Sequence, residues 1–147
     1  GKLEAGHISI ASTDIDQAIR DHFLAGVSWE ATIFFKRVLH QIQNGKRKWR
    51  CSNIQQLQDR MHAIDDLYEQ MKRHGYKSQR ELRTFRCWDE IRVAVGRDGR
   101  FHLFDGRHRL SLAAVLGIRK VPVLVNFRHP EWEGDLASLQ ALYGSRD

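Results

Sequence analysis

The sequence predicts an α+β fold, in which a helical N-terminal half precedes a β-β-α-β unit. Its 147 residues, 41% hydrophobic and 29% charged, are typical of a folded domain whose core needs no disulfide staples. No proline occurs before Pro122, so the first four-fifths of the chain lacks the strongest helix breaker. From residue 91 onward, the apolar spacing changes from the three-and-four pattern of helices to the alternation of strands.

Polar capping residues and glycine stops mark the first two predicted helices. Asp14 with Gln17 forms a capping-box pattern that predicts a helix through about residue 24, which Gly26 would end. Ser28 is predicted to cap a second helix. The predicted apolar side of this second helix holds Ile33, Phe34, Val38, Leu39 and Ile42.

The longest predicted helix follows a basic loop. Ser52 with Gln55 forms another capping-box pattern, and apolar residues then recur at spacings of three and four through about residue 74. Ser78 with Glu81 repeats the pattern, which predicts one further short helix before the strands begin.

The C-terminal half is predicted to hold a hairpin, a helix and a buried strand. Residues 91–95 and 101–104 flank an Asp-Gly turn and therefore predict two antiparallel strands. A helix is expected over residues 107–116, and the continuous apolar run at 121–125 predicts a strand buried on both faces. A last helical turn is expected near residues 136–143. The predicted buried residues of the helix are Leu110, Ala113, Ala114 and Leu116.

A single domain over residues 1–147 is predicted. Its parts are a helical extension, a core and a tail, over residues 10–50, 51–128 and 129–147.

Cys51 and Cys87 are the two cysteines, and so small a number favours a reduced, cytoplasmic protein. No apolar run approaches the roughly 20 residues that a membrane span needs, so no membrane partner is expected.

The charge balance favours polyanionic partners. Lys and Arg number 24 against 18 Asp and Glu, and the net charge of +6 suits phosphate-bearing small molecules, nucleic acid or a surface of solvated arginines. The basic loop at residues 46–50 either grips nucleic acid and stacks a base on Trp49, or is solvated with that tryptophan packed down. The histidine and cysteine spacings do not match a zinc site.

Residues 104–110 hold the segment with the clearest chemistry. A strand ends there, Gly106 turns the chain, and a helix begins with two arginines and a histidine. The first N–H groups of a helix attract anions, and Arg107 and Arg109 add charge-assisted hydrogen bonds suited to phosphate. We expect Gly106 to let a ligand approach the backbone closely. Asp105 would hold Mg²⁺ or orient a substrate hydroxyl; alternatively, it is an N-cap beside solvated arginines.

This turn and the segment after it resemble the ParB/sulfiredoxin superfamily over residues 67–125. The residues that carry the resemblance are Asp105, Gly106, Arg107, His108, Arg109, Leu110, Ala113, Ala114, Leu116, Gly117, Val121, Pro122 and Val123. The resemblance implies a ParB/sulfiredoxin-like core: a small mixed sheet with a β-hairpin and a β-α-β phosphate-binding turn. Arg107 stands where partition ParB proteins, which bind CTP, have glutamate and where sulfiredoxins have the catalytic cysteine. Sulfinic-acid reduction is therefore not expected.

The Asp-Gly-x-His-Arg form of the turn is similar to that of the superfamily's free serine kinases, which phosphorylate a small-molecule hydroxyl with a nucleotide. This resemblance implies Mg²⁺ and a nucleotide (ATP, ADP or CTP) as cofactors, with Asp105 and His108 as catalytic residues. Gly106, Arg107 and Arg109 would hold the phosphates. Those kinases also use an upstream carboxylate as general base, for which the candidates here are Asp65, Asp66, Glu69 and Glu90.

Three more residues are predicted to bind the nucleotide. Arg128 directly follows the last strand, where strand ends commonly border a ligand crevice; alternatively, it fixes the tail against Trp132. Arg50 lies in the loop before the long helix, as the substrate loop does in the kinases. Gln79 lies where ParB proteins contact the base.

Two classes of function remain open. The first is a nucleotide-dependent phosphotransferase or NTPase that acts with a small-molecule acceptor. The alternative is a ParB-like nucleic-acid-binding or nucleotide-switched module without turnover, and the chain also resembles bacterial proteins that contain a ParB N-terminal domain, for which no activity is settled. A nuclease is a third interpretation, but no paired-carboxylate metal motif supports it.

Overall fold

A computed structural model describes residues 2–77, 90–132 and 134. These residues form an α+β structure with four α-helices and a five-stranded mixed sheet, as the sequence predicts at this level. The chain divides into two compact units. One comprises the first eleven residues with the described residues from His74 onward and carries the sheet. The other, Ser12–Arg73, is helical. None of the helices within the described residues has the length and apolarity to span a membrane.

The helical unit contains the three predicted N-terminal helices. They are α1 (Asp14–Ala25), α2 (Ile33–Gln43) and α3 (Ile54–His74). Helix α1 ends at Gly26, whose left-handed backbone (φ +70°) confirms the predicted glycine stop.

The predicted capping residues of these helices are wrong by one or more positions. The capping box of α1 joins Thr13 with Asp16, rather than Asp14 with Gln17. Ahead of α3, Asn53 accepts a hydrogen bond from the N–H of Gln56 at 2.9 Å. Several oxygen-bearing side chains are adjacent at each helix start, and which one caps the helix depends on the register in which its apolar face is buried.

Helix α2 shows the largest displacement of a cap. A short 3-10 turn, Trp29–Ala31, intervenes, so Thr32 caps α2 in place of the predicted Ser28, accepting from the N–H of Phe35 at 3.3 Å. The later start also changes the buried face: Ile33 is 72% exposed, whereas Phe35 is 2% exposed. The prediction that Ile33 belongs to the apolar side is therefore wrong.

The sheet confirms the predicted hairpin, helix and final strand. Strands β3 (Ile91–Val95) and β4 (Phe101–Asp105) pair antiparallel, helix α4 (Arg107–Val115) follows, and β5 (Lys120–Arg128) returns parallel to β3. β5 is not buried on both faces as predicted, because Leu124 on its outer side is 42% exposed.

Two short strands come from the first nine residues and were not predicted. They are β1 (Lys2–Glu4) and β2 (Ile8–Ser9), and the strand order is β1-β5-β3-β4-β2. These two strands occupy opposite edges of the sheet but are joined only by the 3-10 turn Ala5–His7. Five flat strands would separate the edges by about 19 Å, whereas four residues span at most about 14 Å. The sheet must therefore curl until its edges approach each other.

The concave side of the sheet and helix α4 enclose the core of this unit. Leu112 is fully buried although it was not predicted, while Ala114 is exposed and Leu116 only half-buried, so those two predictions are wrong. The core residues are Leu3, Ile8, Ile91, Val93, Val95, Phe101, Leu110, Leu112, Ala113 and Val121. The predicted short helix after Ser78 and the helical turn near residues 136–143 lie outside the described residues.

Candidate functional site

The turn between β4 and α4 is held by close contact with strand β3. Gly106 is the N-cap of α4 and has a left-handed backbone (φ +93°). A Cβ atom on this residue would lie 2.8 Å from the Cα of Ile91 and 3.3 Å from the carbonyl oxygen of Glu90. The close approach of the β3 backbone therefore requires glycine at this position. The approach of a ligand to Gly106 stays a prediction.

Asp105 is held by two donors. Its Oδ2 accepts from Nη2 of Arg92 at 2.5 Å, and its Oδ1 accepts from the N–H of Gly106 at 2.8 Å. Arg92 faces Asp105 in the β3–β4 register. Because Gly106 is the N-cap, the alternative that Asp105 caps the helix is wrong. The Asp105 side chain is 55% exposed, so the ion pair contributes at most about 1 kcal/mol to stability.

The basic residues at the start of α4 are half-buried rather than fully solvated. Arg107 donates from Nη1 to the carbonyl oxygen of Ala11 at 2.7 Å, within the same unit. Arg109 lies beside Tyr76, and His108 is also half-buried. The structure thus brings Arg92, Arg107 and Arg109 to one junction, where the first amides of α4 add partial positive charge.

The Tyr76 hydroxyl is a buried polar group at this junction. The residue is 7% exposed, and burial raises the pKa of the Tyr76 phenol to about 12, although the nearby Arg109 charge lowers this pKa. The Arg109 side chain lies close to this hydroxyl. Among the described residues, neither the Tyr76 hydroxyl nor the buried Nε of Arg92 has a hydrogen-bond partner. Two donors of this unit thus have no acceptor among the residues that the structure describes.

We expect Tyr76→Phe to maintain or increase stability at pH 7, because it removes a buried hydroxyl whose desolvation costs about 1–3 kcal/mol. Between pH 10 and 12 the unfolded chain releases this proton before the folded chain does. Wild type should therefore lose about 2 kcal/mol of unfolding free energy that Tyr76→Phe retains. Urea titrations at pH 9 and pH 11.5 measure this difference. Tyr68→Phe is the matched control; an equal effect there would contradict the assignment to Tyr76.

Of the three other predicted binding residues, Arg128 is the one that the structure places in the same unit as the junction, and it lies away from the turn. Arg128 pairs with Val95, three residues along β3 from Arg92, which is about 10 Å away. Arg50 belongs to the helical unit, in a loop where its backbone is left-handed (φ +59°). Gln79 lies outside the described residues.

Among the candidate general bases, Glu90 belongs to the same unit as the turn and lies beside it. Its carbonyl oxygen would contact a Cβ on residue 106, and its Oε2 atom is buried. Asp66 and Glu69 lie on α3 in the helical unit, as does Asp65. Glu90 immediately precedes β3, and β3 is the strand against which the turn packs. This position explains why Glu90 lies close to Gly106.

A histidine–carboxylate cluster in the helical unit was not predicted. Nε2 of His22 lies 2.9 Å from Oδ1 of Asp65, which also accepts from Nε1 of Trp29 at 3.0 Å. Nδ1 of His22 lies 2.7 Å from the carbonyl oxygen of Val27. Both ring nitrogens face protein acceptors, so this histidine holds the helices together and presents neither nitrogen to a substrate. No local spacing connects positions 22 and 65, so sequence periodicity could not reveal it.

The basic loop confirms the packed-tryptophan interpretation. The Arg60 guanidinium lies 4.2 Å from the centre of the Trp49 ring, and Phe34 meets the same ring edge-on at 5.1 Å. The ring face under Arg60 is therefore not available to stack a base. Neighbouring Cys51 is buried, and burial raises the pKa of its thiol, which disfavours the nucleophilic thiolate.

The junction does not fit a metal ion held by the protein alone. Within the described residues there is no group of three histidine, cysteine or acidic side chains placed to share a cation. Both oxygens of Asp105 already accept hydrogen bonds, from Arg92 and from Gly106. Magnesium in nucleotide sites is commonly held by substrate phosphates with one or two carboxylates. Here the phosphates would have to supply most of its ligands.

Comparison with known proteins does not identify a family. No protein-family model, no curated protein and no solved structure matches the chain. The function must therefore be argued from the β4–α4 junction itself.

Proposed function

We propose that the chain is a ParB/sulfiredoxin-like nucleotide-binding protein whose β4–α4 junction holds the phosphates of a nucleotide. The observation that carries this proposal is the gathering of Arg92, Arg107 and Arg109 at the turn before α4 and at its first residues. A phosphate oxygen accepts charge-assisted hydrogen bonds readily from arginine side chains.

The electrostatics of the junction support an anionic ligand. Asp105 neutralises one arginine, Arg92, through its ion pair. The charges of Arg107 and Arg109 then add to the partial positive charge of the α4 N-terminus, to which both residues belong. Glu90 offsets part of this charge, so a phosphate bound there would meet two arginines and the helix N-terminus against one carboxylate.

The reaction that follows from this proposal is Mg²⁺-dependent hydrolysis or transfer of a phosphoryl group to a small-molecule hydroxyl. Such chemistry depends mainly on positioning and electrostatic stabilisation, which arginines and helix amides supply. His108 would contact the phosphates. Asp105 would hold Arg92 in place, and Glu90 is the carboxylate best placed to accept the proton of the attacking hydroxyl or water. Magnesium would enter with the nucleotide and neutralise phosphate charge.

We expect a nucleotide to stabilise the protein in a thermal-shift panel of ATP, ADP, CTP and GTP, each with Mg²⁺ and with EDTA. A ligand at 100 times its Kd contributes about 2.7 kcal/mol, which is readily measured. Arg109→Ala should weaken binding roughly tenfold or more, since it removes a charged hydrogen-bond donor. Arg97→Ala is the matched control, because Arg97 is an exposed arginine in the hairpin at the other end of β3.

The outcomes separate the two classes of function. A nucleotide-dependent shift lost only in Arg109→Ala supports the phosphate site, and phosphate release in the presence of Mg²⁺ then tests for turnover. A shift without phosphate release, under conditions where Asp105→Asn binds equally well, favours the binding module without turnover. No shift with any of the four nucleotides would contradict the proposal.

A further inference from the structure

The outer face of the sheet carries an exposed aromatic pair. Phe104 on β4 and Phe127 on β5 are 53% and 56% exposed, and their ring centres lie 5.0 Å apart in an edge-to-face arrangement. Leu124, also on the outer side of β5, is 42% exposed. These three side chains are defined here as the outer-face patch. Exposing large apolar groups together is unfavourable, so such a patch commonly marks a binding surface.

Strand pairing explains why the two rings meet. β4 and β5 flank β3 on either side, and the outward positions of β3 between them are Arg92 and Ala94. Ala94 faces Phe127 in the register, and its small side chain leaves room for both rings to lean together above β3. The register shifts in the β3–β4 pairing between Arg92 and Val93, and in the β3–β5 pairing between Val93 and Ala94. Such irregularities change the direction in which the neighbouring side chains leave the sheet.

The surroundings of the patch are cationic. The guanidinium of Arg92 lies 5.5 Å from the centre of the Phe104 ring, in cation–π geometry. Strands β3 and β5 also carry Arg92 and Lys120 against one carboxylate, Asp105, which pairs with Arg92. Arg128 is not part of these surroundings, because it pairs with the buried Val95. The described part of this unit contains ten arginines and lysines but only five aspartates and glutamates.

The size and charge of the patch argue for one kind of partner. A stable protein–protein interface buries about 800 Å² per partner around an apolar core depleted of charge, whereas this patch comprises three side chains beside an arginine. Exposed aromatic rings among cations are instead the pattern that stacks unpaired bases while the cations track phosphates. We propose that the outer-face patch binds single-stranded nucleic acid, with bases stacked on Phe104 and Phe127. This proposal does not rest on the nucleotide site.

Fluorescence anisotropy with a labelled oligothymidylate of about 15 nucleotides tests this proposal. We expect wild type to bind, and Phe104→Ala with Phe127→Ala to weaken binding roughly tenfold or more. Phe104→Leu with Phe127→Leu keeps the apolar side chains but removes the rings, and should lose a similar factor while retaining the wild-type circular dichroism spectrum. Ile33→Ala is the matched control, since it removes an exposed apolar side chain from the helical unit.

Any of the following outcomes would overturn the proposal. Unchanged affinity in both phenylalanine variants, or no binding by wild type, would exclude base stacking. Equal competition by duplex DNA of the same length would show that charge alone carries the binding, because duplex bases are already stacked. Concentration-dependent dimers in sedimentation that the alanine variant abolishes, without oligonucleotide binding, would assign the patch to a second copy of the chain.

Discussion

Replacing Gly106 with alanine is expected to cost at least about 3 kcal/mol of unfolding free energy. The left-handed backbone at φ +93° alone costs a side-chain-bearing residue about 1–2 kcal/mol. The larger part comes from the Cβ atom, which would lie 2.8 Å from the Cα of Ile91, closer than real Cβ contacts allow. Because that neighbour is backbone within β3, the strand or the turn must move.

Gly117→Ala is the matched control for this substitution. Gly117 lies just beyond the other end of α4 with a similar left-handed backbone (φ +70°), but nothing lies within 4 Å of a Cβ built there. Gly117→Ala should therefore lower the unfolding free energy only by the cost of the left-handed backbone, about 1 kcal/mol. Urea unfolding monitored by circular dichroism compares the two variants. Equal losses would contradict the close packing of the turn against β3.

Phe35→Ala is expected to destabilise the helical unit by about 3–5 kcal/mol, as deletion of a buried aromatic ring usually does. The Phe35 side chain is 2% exposed, whereas Ile33, two positions earlier on α2, is 72% exposed. Ile33→Ala should therefore change stability by less than about 0.5 kcal/mol. Urea titration of both variants tests the register of α2. A larger loss of stability in Ile33→Ala than in Phe35→Ala would contradict this register of α2 and favour the one predicted from the sequence, in which Ile33 is buried.

The sequence predicts elements well where a local pattern suffices. The hairpin is specified by alternation on both sides of an Asp-Gly turn, and α3 by a long three-and-four repeat. The register of α2 could not be predicted in the same way. Ser28 and Thr32 are both competent caps, and the choice depends on which rings the neighbouring helices can bury.

Strands β1 and β2 escaped prediction because neither has a local signal. They are three and two residues long, and they exist through pairing with β5 and β4, which follow more than a hundred and about ninety positions later. For the same reason the sequence located Asp105, Gly106, Arg107 and Arg109 in one turn, but it could not add Arg92 and Tyr76. Those two residues reach the junction through cross-strand register and burial.

The pairing of β1 has a consequence for the order in which the chain folds. Leu3 meets Val121, 118 positions later, so the contact order of the sheet is high and its closure is expected to be slow. During synthesis, at about 5–20 residues per second, the helical unit is complete in sequence before β3 leaves the ribosome. Strand β1 then has no partner until β5, with which it pairs, has been synthesised. The segment that carries β1 and β2 therefore stays unpaired until β4 and β5 have been synthesised.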